Sequence, residues 1–100
     1  MYLIGYNISV VERTDEMPVI ARFYGLIIKM FLVGSEHNPP HIHVVYNEYN
    51  AAYDIRTQQL IEGDLPIRAD SMVREWMAEY KDELIEMWNT QNFKHLPSLK

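Results

Sequence analysis

The chain has 100 residues, of which 48% are hydrophobic and 12% aromatic, so it is not a disordered chain and its length fits a single domain with one core. It contains no cysteine, which excludes disulfides and thiolate zinc sites. The formal net charge is −5, without a basic stripe, and this argues against non-specific nucleic-acid binding. No stretch is long and apolar enough for a membrane span, and the N-terminus lacks the positive region of a signal peptide, so we expect a cytoplasmic protein.

The first two-thirds of the chain predict a series of strands, because β-branched and aromatic residues recur between turn-forming residues. The predicted strands cover residues 2–11, 19–24, 26–33, 41–46 and 51–56, followed by a short strand that ends near Gly63. We expect a four-residue turn at 47–50, where polar residues cluster. An unpaired strand at 2–11 would be free to pair with a second copy of the chain, which would give a homo-oligomer.

The C-terminal third predicts helix, because apolar residues keep helical spacing from Ala69 to Trp88. Pro66 suits the first helical position. The spacing permits one helix or two, and we favour two, with Asp82 as the cap of the second. The tail at 92–100 is predicted to be loosely held.

Together these elements predict an α+β fold of one domain. We expect an antiparallel sheet of four to five strands, with one or two C-terminal helices packed on one face. Within the domain, residues 1–16 form an additional N-terminal segment, residues 17–91 form the core, and residues 92–100 form the tail.

Three of the four histidines lie in the sequence HNPPHIH, at residues 37–43. The two prolines restrict the backbone on which His37 and His41 lie. Because side chains alternate between the faces of a strand, His41 and His43 share one face. With a four-residue turn, the register places His43 opposite Asp54 and His41 opposite Arg56, which is close enough for an imidazole–carboxylate hydrogen bond.

This arrangement suggests a metal-independent ribonuclease or related phosphodiesterase. His43 would be the general base, Asp54 would orient it, and His41 or His37 would be the acid. Arg56 would hold the phosphate of the substrate, with His37 reaching the substrate from the loop.

Two other interpretations of the histidines stay open. Neighbouring histidine, aspartate and arginine side chains are also common on an exposed sheet face without any catalytic role. Alternatively, His37, His41 and His43 would hold zinc or another transition metal, although structural zinc sites take four ligands. No other cofactor is indicated, and the sequence alone leaves open whether the chain is an enzyme.

Three blocks of the sequence resemble a known family. They read MPVIARFYGLIIKMF, HNPPHIHVVY and EGDLPIRADSMVREWMAEYKDELIEMW. From about residue 17 to 89 the chain is similar to a family of short bacterial proteins known as domain of unknown function 4160. The resemblance supplies no catalytic residues. It implies a small partner protein encoded nearby, in an arrangement similar to toxin–antitoxin pairs, and we therefore rank a protein-binding module ahead of the nuclease and metal-site interpretations.

Overall fold

The computed structural model describes residues 18–31 and 39–100. Within these residues, an antiparallel five-stranded sheet forms one layer and two helices form the other. The elements, in chain order, are β1 (Val19–Phe23), β2 (Leu26–Met30), β3 (His41–Tyr46), β4 (Tyr49–Asp54), β5 (Leu60–Gly63), α1 (Ile67–Glu79) and α2 (Lys81–Thr90). The predicted α+β class is confirmed, and the predicted strand at 2–11 lies outside the described residues.

Strands that follow one another in the chain are also neighbours in the sheet, in the order β1-β2-β3-β4-β5. Tyr24 and Gly25 connect β1 to β2, and both have positive φ angles, of 49° and 84°. Two successive residues of this kind form the tight turn that matches the twist of a β-hairpin. The first hairpin therefore has its turn where the sequence predicts it.

The turn between β3 and β4 is shorter than predicted. It consists of Asn47 and Glu48, and Tyr46 pairs directly with Tyr49. Asn47 has a φ of 53°, a conformation that asparagine tolerates better than most residues. The predicted four-residue turn at 47–50 is therefore wrong, and the register of the hairpin differs by two residues from the predicted one.

A shift of two residues leaves every side chain on its predicted face, because the side-chain period of a strand is two. Ile42 and Val44 are fully buried, as expected for side chains that face the helices. Tyr53 of β4 lies on the same face, and its hydroxyl donates a 2.5 Å hydrogen bond to Asp70 of α1. Arg74, one turn further along α1, donates to both oxygens of the Asp70 carboxylate. This network joins the helical layer to the sheet.

The C-terminal helical region is divided at Tyr80, whose φ and ψ angles of −110° and 24° interrupt the helix. The break confirms the preference for two helices. No side chain caps the start of α2, so the prediction of Asp82 as its cap is wrong. Pro66 is the residue immediately before α1 rather than its first residue. Neither helix of the described part is long enough to cross a membrane, which takes about 20 apolar residues.

The tail after α2 has no regular secondary structure, yet it packs against the core. Phe93, Leu96 and Leu99 are buried. The backbone N–H of Leu96 donates to the carbonyl of Ile20 at 2.8 Å, and the indole N–H of Trp76 donates to the carbonyl of Pro97 at 2.8 Å. The tail differs in this respect from the loosely held segment predicted, because its apolar side chains cover the junction of β1 and α1.

Candidate functional site

Four strands contribute one residue each to a row across the sheet face that is turned away from α1. Lys29 pairs with His43, His43 pairs with Ala52, and Ala52 pairs with Glu62. Cross-strand partners point to the same face. The row therefore carries an ammonium group, an imidazole, a methyl group and a carboxylate in that order, and the small side chain of Ala52 leaves space between His43 and Glu62.

A cleft of about 360 Å³ occupies this space. Its walls are formed by Phe31, Pro39, His41, His43, Ala52, Ile61 and Glu62. A second hollow, of about 280 Å³, shares His43, Ala52 and Glu62 with the cleft and extends to Lys29. His43 and Glu62 border both hollows, so they are the polar residues best placed to meet a ligand on this face.

Ile61 reaches the cleft because β5 contains a bulge. Ala52 pairs with Glu62, whereas the next residue, Tyr53, pairs with Leu60, so Ile61 is an additional residue on β5. Successive side chains of a regular strand point to opposite faces, but a bulge re-aims one of them. Ile61 and Glu62 therefore both line the cleft, and they place an apolar surface beside a carboxylate.

His41 forms a fixed wall of the cleft. Its side chain is only 8% exposed, and its Nδ1 lies 2.8 Å from the carbonyl oxygen of Pro39. A carbonyl oxygen only accepts hydrogen bonds, so Nδ1 carries the proton of the imidazole. The ring centroid of His41 lies 5.0 Å from that of His43 and 5.1 Å from that of Trp88 on α2. These contacts hold the ring in one orientation.

His43 is half-buried, and burial lowers its pKa from the ordinary value of 6.5. The neighbouring His41 and Lys29 lower the pKa of His43 further, because each disfavours a second positive charge, while the Glu62 carboxylate acts in the opposite direction. At pH 7 the neutral form of the His43 imidazole therefore predominates, and in that form one ring nitrogen accepts hydrogen bonds.

The observed register separates the predicted catalytic residues. His41, rather than His43, lies opposite Asp54, and His43 lies opposite Ala52. The predicted pairs His43–Asp54 and His41–Arg56 are therefore wrong, for the reason that the turn has two residues instead of four. The structure brings His41 and His43 together, whereas the backbone N–H groups of Arg56 and Thr57 donate to Oδ1 of Asp54, at 2.8 Å and 3.0 Å.

The catalytic roles of His43, His41, Asp54 and Arg56 stay predictions. Arg56 is exposed, and its carbonyl accepts a hydrogen bond from Lys81 of α2. His37, predicted to bind substrate or to be an acid, lies outside the described residues. Among residues 18–31 and 39–100 there is no group of three or more potential ligands that could hold a metal ion. The metal site predicted at His37, His41 and His43 depends on His37 and stays a prediction as well.

Sequence reasoning missed Glu62, Ile61 and Lys29. The β3–β4 hairpin determines the neighbour of His43 on β4 alone. Lys29 can be placed beside His43 only when the pairing of β2 with β3 is known. Glu62 and Ile61 share the cleft because of the bulge in β5, and none of the three residues before Gly63 in LIEG marks a bulge. The glycine that ends β5 is the one local sign of an irregular strand.

Comparison with known proteins gives one result. No curated protein and no solved structure matches the chain. Residues 25–89 match a family described as Domain of unknown function (DUF4160). The match extends from the turn before β2 into the last turn of α2, and it includes the whole row of Lys29, His43, Ala52 and Glu62. Because it covers more than half of the 100 residues, the chain belongs to the DUF4160 family.

Proposed function

We propose that this chain is a protein-binding module, one member of a two-protein system, and that it binds an extended, basic segment of its partner along β5. The observation that carries the proposal is the exposure of β5. All four of its residues are exposed, including Leu60 and Ile61, whose exposed fractions are 40% and 50%. Two neighbouring apolar side chains on an exposed strand beside a cleft are typical of a surface that binds protein.

The position of β5 in the sheet supports binding of an extended segment. Within the described residues β5 is the last strand on its side of the sheet, so only β4 lies beside it there. An edge strand presents backbone N–H and C=O groups to which an extended segment of another protein can add. Backbone pairing would supply the affinity, and the side chains near Ile61 would select the segment.

Charge selects a basic segment. The net charge of the chain is −5, and the only charged side chains from residue 57 to 64 are Glu62 and Asp64. A second copy of the chain would bring the same carboxylates to the interface, and like charges oppose pairing. Lysine or arginine residues of a different protein would be attracted to this edge.

The family resemblance supplies a candidate partner, namely the small protein encoded nearby in an arrangement similar to toxin–antitoxin pairs. Both proteins would be cytoplasmic. The chain would then act by covering a segment of its partner, and its own activity would be binding rather than catalysis.

The experiment is co-purification of the chain with this small protein at micromolar concentrations. We expect a stable complex whose affinity falls by about tenfold or more in Ile61→Lys, which removes an apolar contact and adds a positive charge at β5. Because Ile61 is half-exposed, the substitution leaves the core intact, and far-UV circular dichroism verifies that it does.

Tyr24→Asn is the matched control. Tyr24 is also a large exposed side chain, but it lies in the turn beside β1, at the opposite edge of the described sheet. Asparagine tolerates the positive φ at this position. The control retains full affinity. Absence of association at micromolar concentrations, or equal losses in the two variants, refutes the proposal.

A further inference from the structure

We infer that the cleft beside β5 is a guanidinium-binding site, which takes one arginine side chain from the partner's segment. The inference rests on the proposed function, because β5 supplies both the edge along which the segment lies and two walls of the cleft, Ile61 and Glu62. Alternate side chains of an added strand point to the same sheet face as the cleft. A long side chain on this face of the added strand would reach back over β5 towards the space between His43 and Glu62, which lies above Ala52 of β4.

The carboxylate of Glu62 provides the charge that such a side chain needs. Glu62 is exposed at the rim of the cleft and acts electrostatically on the imidazole of His43, and no arginine or lysine of the described ranges forms an ion pair with it. Guanidinium and carboxylate groups form paired, charge-assisted hydrogen bonds. An arginine in the cleft would give Glu62 a cationic partner that residues 18–31 and 39–100 do not supply.

The walls of the cleft favour a flat cation over a compact one. The rings of Phe31, His41 and His43 line the cleft together with the aliphatic side chain of Ile61. Guanidinium groups are planar, less strongly hydrated than ammonium groups, and stack on aromatic faces. The neutral imidazole of His43 adds a hydrogen-bond acceptor for a guanidinium N–H.

Titration of His43 makes binding dependent on pH. The charged and titratable groups that face His43 are Lys29 on β2, His41 on β3 and Glu62 on β5. Protonation of His43 would place a positive charge beside the bound guanidinium and would weaken binding. We therefore expect affinity for the guanidinium group to fall as the pH is lowered below about 6.5, because the pKa of His43 in the folded chain lies below this ordinary value.

The test is titration of the full chain with N-acetylarginine amide, followed by the imidazole Cε1 proton signals in NMR spectra. Single His→Gln variants assign the signals. We expect saturable shifts of the His41 and His43 signals and no shift of the exposed His95. N-acetylcitrulline amide, which has nearly the same shape but no charge, should bind about tenfold more weakly or not at all.

Two carboxylate variants identify the charge that matters. Glu62→Gln should weaken binding of N-acetylarginine amide by about tenfold. Glu48→Gln removes the same charge from the exposed β3–β4 turn and should leave the affinity unchanged. The inference is overturned if no saturable shift is seen, if citrulline binds as well as arginine, or if the two variants behave alike.

The failure of this inference is distinguishable from failure of the proposed function. If Ile61→Lys abolishes the protein complex but N-acetylarginine amide shifts no imidazole signal, the guanidinium site is refuted and the binding module stands. If the amide binds in the cleft but the neighbouring protein does not associate, the proposed function is refuted. The assignment of the arginine to that partner then fails with it.

Discussion

His43 is the residue whose surroundings are the most informative for function. It is half-buried, and its ring contacts that of His41. Its cross-strand partner on β2 is Lys29, and Glu62 of β5 lies on its other side, beyond Ala52 of β4. Burial and two positively charged or chargeable neighbours favour the neutral imidazole, and one carboxylate favours the charged form. A charged group that enters the cleft would therefore change the pKa of His43.

We expect the pKa of His43 to lie below 6.5 and to move in opposite directions in two variants. Glu62→Gln removes the neighbour that raises the pKa, so the pKa falls further. Lys29→Met removes a neighbour that lowers it, so the pKa rises. An NMR titration of the imidazole signals measures both changes. A pKa above 6.5 in the wild-type chain, or shifts of the same sign in the two variants, contradicts this account.

The same shift predicts how stability depends on pH. In the unfolded chain His43 has its ordinary pKa and binds a proton more readily than in the folded chain. Its contribution to the free energy of unfolding is therefore complete above about pH 6.5 and is lost as the pH falls through the folded pKa. His43→Gln should flatten this part of the pH profile in urea denaturation, whereas exposed His95→Gln should not.

At the scale of elements, β5 depends on the close approach of its backbone to β4. Gly63 pairs with Ala51 and has a φ of 74°. A Cβ atom at Gly63 would overlap the carbonyl oxygen of Asn50. Gly25 has a similar φ, of 84°, but a Cβ atom there would lie 3.3 Å from the ring of Tyr46, a partly buried side chain rather than backbone. The two glycines share a backbone conformation and differ in the space around them.

This difference makes a matched pair of substitutions. Gly25→Ala should cost about 1 kcal/mol of unfolding free energy, which is the backbone strain of a positive φ. Gly63→Ala bears the same strain and also pushes β5 away from Asn50, so we expect a cost of about 3 kcal/mol or more. Urea denaturation of both variants measures the difference. Equal costs would mean that β5 moves freely against β4 and that the cleft wall is not fixed.

At the scale of the whole molecule, burial is the property that sequence patterns predict best. Alternation places Ile42 and Val44 towards the helices whether the turn has two residues or four, because a two-residue shift preserves the faces. The pairing of strands is predicted less well. The sequence predicts a single turn over residues 47–50, whereas the chain reverses at Asn47 and Glu48, and Tyr49 already belongs to β4. Hence the nearness of His41 to His43 follows from the sequence, but the identity of their cross-strand neighbours does not.

Two further features depend on contacts between distant parts of the chain. Ile61 and Glu62 share the cleft because of a bulge that only the pairing of β5 with β4 reveals. Phe93, Leu96 and Leu99 are three residues apart in a segment that forms no helix, and they are buried because β1 and α1 leave an apolar surface for them. Local periodicity reveals neither feature, since it detects helices and strands and not the contacts between them.

The position of the tail predicts that the sheet, the helices and the tail unfold together. Trp76 is fully buried in α1, its ring lies 5.5 Å from that of Phe23 in β1, and its indole N–H is held by the carbonyl of Pro97. Its fluorescence therefore reports on all three parts at once. In a Trp88→Phe background, where Trp76 is the only tryptophan, we expect fluorescence and far-UV circular dichroism to give the same urea midpoint.

Leu96→Ala should lower both midpoints equally and cost about 2–4 kcal/mol, because it removes a buried side chain from the shared core. His95→Ala changes the exposed neighbour and should alter stability by less than about 0.5 kcal/mol. If Leu96→Ala shifts the fluorescence midpoint and leaves the circular dichroism midpoint in place, the tail unfolds by itself and is not part of the core. A common shift means that the core extends from β1 to the end of the chain, and that a ligand on the open sheet face binds a cooperative, pre-formed surface.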